Sequence, residues 1–277
     1  MKMNYELALI TGGSSGIGLA LAKELAQAGT DLCLLARDET KLAQAKEDLQ
    51  ALATRSDQKI HTLSCDVSNY DDLKPLLAEF VTQQGLPDLV INSAGVTYPG
   101  HFEDLDVDIF HWLMDVNYFG TLHVLKALAP MMIERGAGTL VNISSQAGFI
   151  GVFGYSGYSA SKYAVSGLSD VLRSELKPLG IQVSVVFPPD TETPQLAFEE
   201  PLKPFETKEI AGSAKALSAE TVAKSILKGI SKGKYVIIPG ADGKIFYWLT
   251  HFLGRLTYPV MDILVNNAQK KKSKQKK

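Results

Sequence analysis

The sequence predicts an α/β protein, a single doubly wound domain with a seven-stranded, mostly parallel sheet flanked by helices. Three observations point to it. Short apolar, β-branched runs alternate with longer stretches of helical period from Leu7 to Ile238. A glycine-rich turn follows the first of those runs. No repeat and no Ser/Gly linker divides the 277 residues, a length that one α/β unit commonly reaches.

Strands are expected at 7–11, 32–36, 60–64, 89–92, 139–144, 183–186 and 235–238. Between the first two, Leu19, Ala22, Leu25 and Ala26 recur at helical spacing and Gly29 supplies a stop, which makes one right-handed β-α-β unit. With 45% hydrophobic and 21% charged residues the chain belongs with soluble globular enzymes, which excludes disordered, collagen-like and disulfide-scaffold classes. Cys33 and Cys65 lack metal-ligand spacing and read as buried thiols of a reducing compartment, so no metal site is expected. Residues 1–6 run straight into the first strand and leave no room for a secretory leader, so a cytoplasmic location is expected.

Two segments break the alternation. Residues 188–205 hold five of the 12 prolines and read as a long loop, part of a substrate lid over 188–217. After a catalytic domain of residues 1–240, the segment 241–277 reads as an amphipathic helix and a lysine-rich tail. Ile245, Trp248, Leu249, Phe252, Leu253 and Leu256 form one apolar stripe, too interrupted for a span of roughly 20 apolar residues. An interfacial helix and a subunit contact both fit. The last eight residues carry six lysines and the whole chain a formal −2, so the preceding 269 residues sum to −8. That tail favours peripheral contact of 245–277 with the cytoplasmic face of a membrane. The body has no basic recognition helix, and nucleic acid is not an expected partner.

The glycine turn is T-G-G-S-S-G-I-G, residues 11–18. Side-chain-free positions between a strand and a helix let backbone N–H groups approach a pyrophosphate, the Rossmann-like arrangement. Gly12, Ser14, Ser15, Gly16, Ile17 and Gly18 are the candidates, although Gly12, Gly16 and Gly18 are spaced more widely than G-x-G-x-x-G. The second strand ends L-L-A-R-D rather than in an acid, and Arg37, with Lys41 a turn later, suits a 2′-phosphate. NADPH/NADP+ is therefore expected over NAD. Asp38 reads as the N-cap of a helix over 39–52.

In G-Y-S-G-Y-S-A-S-K-Y, residues 154–163, Tyr158 and Lys162 are four apart and share a helix face. A neighbouring ammonium favours phenolate and lowers a phenol's pKa from about 10, making an acid-base unit. Tyr155 and Tyr163 have no lysine at that spacing and read as pocket wall and helix packing. Ser145, at a strand end, is placed to hydrogen-bond a carbonyl or merely to cap the strand, while Ser144 points to the opposite face. Asn117, in an apolar helix, either bends that helix or holds a water or the lysine.

With T-G-G-S-S-G-I-G, C-D-V at 65–67, N-S-A-G at 92–95, Asn117, S-S-Q-A-G and Y-S-A-S-K in this order, the chain resembles the short-chain dehydrogenase/reductase family over nearly its whole length. The resemblance implies a catalytic tetrad of Asn117, Ser145, Tyr158 and Lys162, with Tyr158 as proton donor. It places Asp66 and Val67 beside the adenine, Asn92, Ala94 and Gly95 along the cofactor, and Lys162 on the nicotinamide ribose as well. It implies a homo-oligomer too. The F-P-P-D-T-E-T-P segment, with L-A-R-D-E-T-K-L and K-P-F-E-T-K, is similar to the 3-ketodihydrosphingosine reductases within that family. That likeness implies NADPH-dependent reduction of a long-chain 3-keto amine, a lipid-like ketone. Pro189 lacks an amide donor, so cofactor contact there is expected from Thr191 or Thr193 instead, and Pro188 is counted with them among the cofactor-binding residues. The alternatives are a reductase or dehydrogenase of another lipid-like ketone or alcohol, and a dinucleotide sensor without turnover.

Overall fold

The computed structural model describes residues 5–211 and 215–275. Residues 1–4, three residues of the expected lid and the last two lysines of the tail lie outside that range. Nine strands form among the described residues: β1 Leu7–Thr11, β2 Asp31–Ala36, β3 Ile60–Ser64, β4 Leu89–Asn92, β5 Gly138–Ile143, β6 Ile181–Val186, β7 Thr191–Glu192, β8 Leu217–Ser218 and β9 Val236–Ile237. Seven make one sheet in the order β3-β2-β1-β4-β5-β6-β9, and every pairing in it is parallel. The expected strands are present, with the fifth ending one residue early, the sixth starting two residues early and the last shortened to two residues.

Helices cover both faces: α1 Gly16–Gln27, α2 Glu39–Gln50, α3 Tyr70–Gln84, α4 Val107–Met114, α5 Gly120–Arg135, α6 Ser156–Leu176, α7 Pro194–Glu199, α8 Phe205–Ala211, α9 Ala219–Ile230, α10 Ala241–Leu253 and α11 Thr257–Gln275. Alternation in β1 sets the two cores. Ala8 and Ile10 pack with Leu21 and Leu25 of α1 and Ile226 of α9, whereas Leu7 and Leu9 pack with Leu77 of α3 and Leu128 of α5. Asp38 caps α2, accepting from the Lys41 amide at 3.0 Å, as expected, though α2 stops at Gln50.

The proline-rich segment is not a loop. Pro194 occupies the first position of α7, where its missing N–H has no intrahelical partner to lose, and Thr193 caps it by accepting from the Leu196 amide at 3.2 Å. Pro201 lies in a following 3₁₀ turn, Glu200–Leu202, and β7 pairs with β8 as a second, two-stranded sheet.

The C-terminal segment is helical throughout its described part. Ile245, Trp248, Leu249, Phe252 and Leu256 are exposed, Phe252 at 89%, and Leu253 is half-buried, so most of the stripe is left uncovered by the described residues. No described helix is long and apolar enough to cross a membrane. Two of the tail lysines do not project freely. As α11 packs on α8, Lys271 and Lys272 meet Glu209 and Glu206 at 2.6 and 2.8 Å.

Candidate active site

A cavity of about 500 Å³ opens at the C-terminal ends of β1, β4, β5 and β6. One wall is the turn between β1 and α1. A β-carbon on Gly18 would lie 2.4 Å from the Gly12 carbonyl oxygen, and one on Gly12 would lie 2.9 Å from the Ala94 backbone, so neither position admits a side chain. The first turn of α1 has no acidic residue and Ser15 makes no side-chain cap, which leaves helix N–H groups for an anionic ligand. This is a fit to a pyrophosphate.

Of the candidate residues, Gly12, Ser15, Gly16, Ile17, Gly18, Ala94, Gly95, Ser145, Tyr158, Lys162, Pro188, Thr191 and Thr193 all line the cavity. Ser14, Arg37, Lys41, Asp66, Val67, Asn92 and Asn117 do not. Arg37 sits outside at the end of β2, 60% exposed in its side chain and 3.4 Å from Asp66. Burial pushes the Asp66 carboxyl up, but the Ser68 hydroxyl and amide and the Arg37 guanidinium bring it below its ordinary range. Lys41 pairs with Asp38 at 3.4 Å. Val67 is buried against Gly120, and the Asn92 amide donates to Asn142 within the sheet at 2.9 Å, so its side chain serves strand pairing rather than the cavity.

Asn117 occupies a π turn, Asp115–Phe119, between α4 and α5. The turn projects its side chain onto the neighbouring backbone. Its Oδ1 accepts from the Val96 amide at 2.8 Å and its Nδ2 donates to the Val96 carbonyl and the Ser161 hydroxyl, at 3.0 and 2.9 Å. The helix is distorted there, as one alternative has it, whereas the side chain bonds Val96 and Ser161 rather than the lysine and so fixes the strand exit that carries Gly95. A β-carbon on Gly95 would be 3.2 Å from Asn117 Oδ1 and 3.3 Å from Lys162 Nζ.

Tyr158 and Lys162 lie on α6, buried at 9% and 5% exposure. The Lys162 ammonium donates to the Ile143 carbonyl at 3.1 Å and stands 5.6 Å from the Tyr158 ring centroid; burial lowers its pKa to about 8. Sequence reasoning had the lysine lowering the phenol's pKa. The structure shows the reverse net effect, because burial raises it, the Ser145 and Gln195 hydrogen bonds oppose that, and Glu199 and Asp190 add to it. Ser144 donates to the Lys162 carbonyl at 2.9 Å, away from the reacting face, and Ser145 also accepts from the Ala147 amide at 3.2 Å. Tyr155 is a cavity wall, as expected, whereas Tyr163 is 44% exposed and not packed inside.

The segment after β6 contributes what the sequence did not reveal. Gln195 and Glu199, one turn apart on α7, both line the cavity, and Glu199 is 6% exposed with burial raising its pKa. A T-P pair opening a helix was the available signal, since it places residues 195 and 199 on one face. Phe246, Met261 and Leu264 bring α10 and α11 to the same cavity. Among the described residues no group of three or more His, Cys, Asp or Glu is placed to hold a metal ion.

The profile of the short chain dehydrogenase family matches residues 6–201. A 3-dehydrosphinganine reductase of Danio rerio is 39% identical over 90% of this chain and 76% of its own length. Among solved structures, a short chain dehydrogenase/reductase of Burkholderia phymatum in complex with NAD is 26% identical, with a TM-score of 0.79 over 93% of this chain and 96% of its own. A short-chain dehydrogenase of Sphingobium yanoikuyae in complex with NADPH is 28% identical, with a TM-score of 0.77 over 92% and 95%.

Proposed function

We propose, from the premise that this chain belongs to the short-chain dehydrogenase family, that it reduces a long-chain 3-keto amine, 3-dehydrosphinganine (3-ketodihydrosphingosine), to its 3-hydroxy product with NADPH, a step of sphingolipid synthesis. One observation carries the reading. Ser145, Tyr158 and Lys162 face the same cavity as the phosphate turn, and the far wall of that cavity is made by apolar side chains of α10 and α11. The named likeness to the zebrafish reductase supports the choice of substrate.

Bound NADPH would supply hydride to the carbonyl carbon. Gly12, Ser14, Ser15, Gly16, Ile17 and Gly18 would hold its pyrophosphate, with Thr191, Thr193 and Pro188 closing over it and Asp66, Val67, Ala94, Gly95 and the backbone of Asn92 along its adenine and ribose side. Solved neighbours carry either NAD or NADPH, so the choice rests on Arg37, aided by Lys41, at a strand end that lacks an acid. Tyr158 donates its proton to the carbonyl oxygen, and its raised pKa keeps that proton in place at neutral pH. Ser145 orients the same oxygen. Lys162, an ammonium below about pH 8, offsets the charge left on the phenol. Asn117 holds Val96 and so keeps Gly95 against Lys162.

The exposed stripe of α10 would rest on a membrane surface, beside the cavity that receives the acyl-derived chain. The exposed Ile133, Tyr163 and Val171 of α5 and α6 are the surface for a homo-oligomer. The deciding assay is NADPH oxidation by the purified protein with 3-dehydrosphinganine and with long-chain ketones lacking nitrogen. Turnover of the amino ketone is expected; turnover of the others alone would replace the substrate, and none at all would favour a sensor.

A further inference from the structure

The lid carries a buried charge that proton transfer at Tyr158 does not use. Glu199 ends α7 with its carboxylate on the cavity, and burying a carboxylate is costly unless a cation answers it. Lys203 answers only in part. Its ammonium is 2.9 Å from Glu200, 3.4 Å from Glu199 and 3.6 Å from Asp190. Lys208 reaches Glu200 at 3.8 Å. Glu199 and Asp190 thus share one lysine, and no second cation lies within ion-pair distance of either among the described residues. A clamp holding α7 to its own neighbour would need only the i,i+4 pair of Glu199 with Lys203, not two acids facing the cavity.

The position of this charge relative to the phenol gives it a use. The Tyr155 hydroxyl donates to Glu199 at 3.0 Å, and the Tyr155 and Tyr158 rings are 5.6 Å apart. Glu199 is therefore one side chain away from the hydroxyl that meets the carbonyl oxygen. In a 2-amino-3-ketone the nitrogen sits on the carbon next to that carbonyl. We infer that Glu199, with Asp190 beside it, accepts hydrogen bonds from the substrate's amino group and separates amino ketones from plain ketones of equal length. The inference rests on the reading of the substrate given above and names the residue that would select it.

Calorimetric titration of the full-length protein loaded with NADP+ tests it without turnover. The probes are a short-chain 2-amino-1,3-diol and the same diol without nitrogen. The wild type should bind the amino diol about 30-fold more tightly, as one hydrogen-bonded charge contributes. Glu199→Gln should reduce that preference to about threefold or less while leaving diol affinity in place. Lys203→Met, which removes the competing ammonium, should raise the preference. Equal binding of both probes by the wild type, or equal weakening of both by Glu199→Gln, would overturn the inference. Amine selectivity that depends on Glu199 without NADPH oxidation on the amino ketone would sink the proposed reaction and leave this site standing; oxidation that Glu199→Gln leaves fully selective would do the opposite.

Discussion

The two walls of the cavity are built differently. On the sheet side, Gly12, Gly18, Gly95, Ser145 and Lys162 are held by backbone contacts and short hydrogen bonds at the ends of β1, β4 and β5. On the side of the proposed lid, α8 and α11 meet through ion pairs such as Lys272 with Glu206, and α7, α10 and α11 present apolar side chains, several of them exposed. In the proposed reaction the first wall would place the reacting atoms, which demands rigidity; the second would receive the variable part of the substrate, and helices joined by ion pairs can shift there at lower cost. Chemistry and selectivity are thus assigned to separate halves of the cavity.

Substitutions can break or sharpen that division. The largest effect is expected on the rigid side: Tyr158→Phe should lower kcat about 1000-fold with NADPH affinity nearly unchanged, measured by steady-state turnover and cofactor titration. Lys162→Met should cost about 100-fold in kcat. Its stability should move the other way. The folded lysine titrates near 8 against an ordinary 10.5, so the unfolded chain binds more protons between those values and stability rises with pH across that window. The variant should lose that rise and melt at or above the wild-type temperature at pH 7, while wild-type reduction should slow as pH climbs through about 8. A pH-independent difference between the two melting curves would contradict this.

Arg37→Ala should raise KM for NADPH about 10- to 30-fold and barely alter that for NADH, as the loss of one charged contact predicts. On the lid side, Trp248→Glu with Phe252→Glu should lower sedimentation with anionic liposomes severalfold, without changing turnover of a soluble short-chain ketone. Smallest is Glu206→Gln, which should raise KM for the long-chain substrate two- to threefold, about 0.5 kcal/mol, since Lys272 is partly solvated. An equal fall in kcat on short and long substrates would show that α8 and α11 support the rigid wall instead.

The same division governs what the sequence could disclose. The strands, the phosphate turn, the Asp38 cap and the pairing of Tyr158 with Lys162 rest on local periodicity or on spacings of a few residues, and each was readable. Glu199 was not. In F-E-E-P-L-K it looks like a solvated charge run, and the hydroxyl that donates to it, that of Tyr155, lies 44 residues away. The prolines hid α7, because a proline count cannot distinguish the first position of a helix from its interior. The tyrosine pKa was misjudged for a similar reason: spacing supplies the lysine, while the desolvation that outweighs it comes from the assembled cavity.

The π turn at Asp115–Phe119 makes part of the site a matter of residue count. Each α-helical residue rotates the chain by about 100°, so a deletion within α5 would swing Val124 and Leu128 out of the core. A deletion inside the bulge is different. It would relax the widened turn to ordinary helix and leave α4 and α5 presenting their present faces, but would remove the extra residue that turns Asn117 onto Val96. Shortened by one residue there, the chain would still fold and would lose an anchor of its active site, so foldedness and activity can be parted without replacing any side chain.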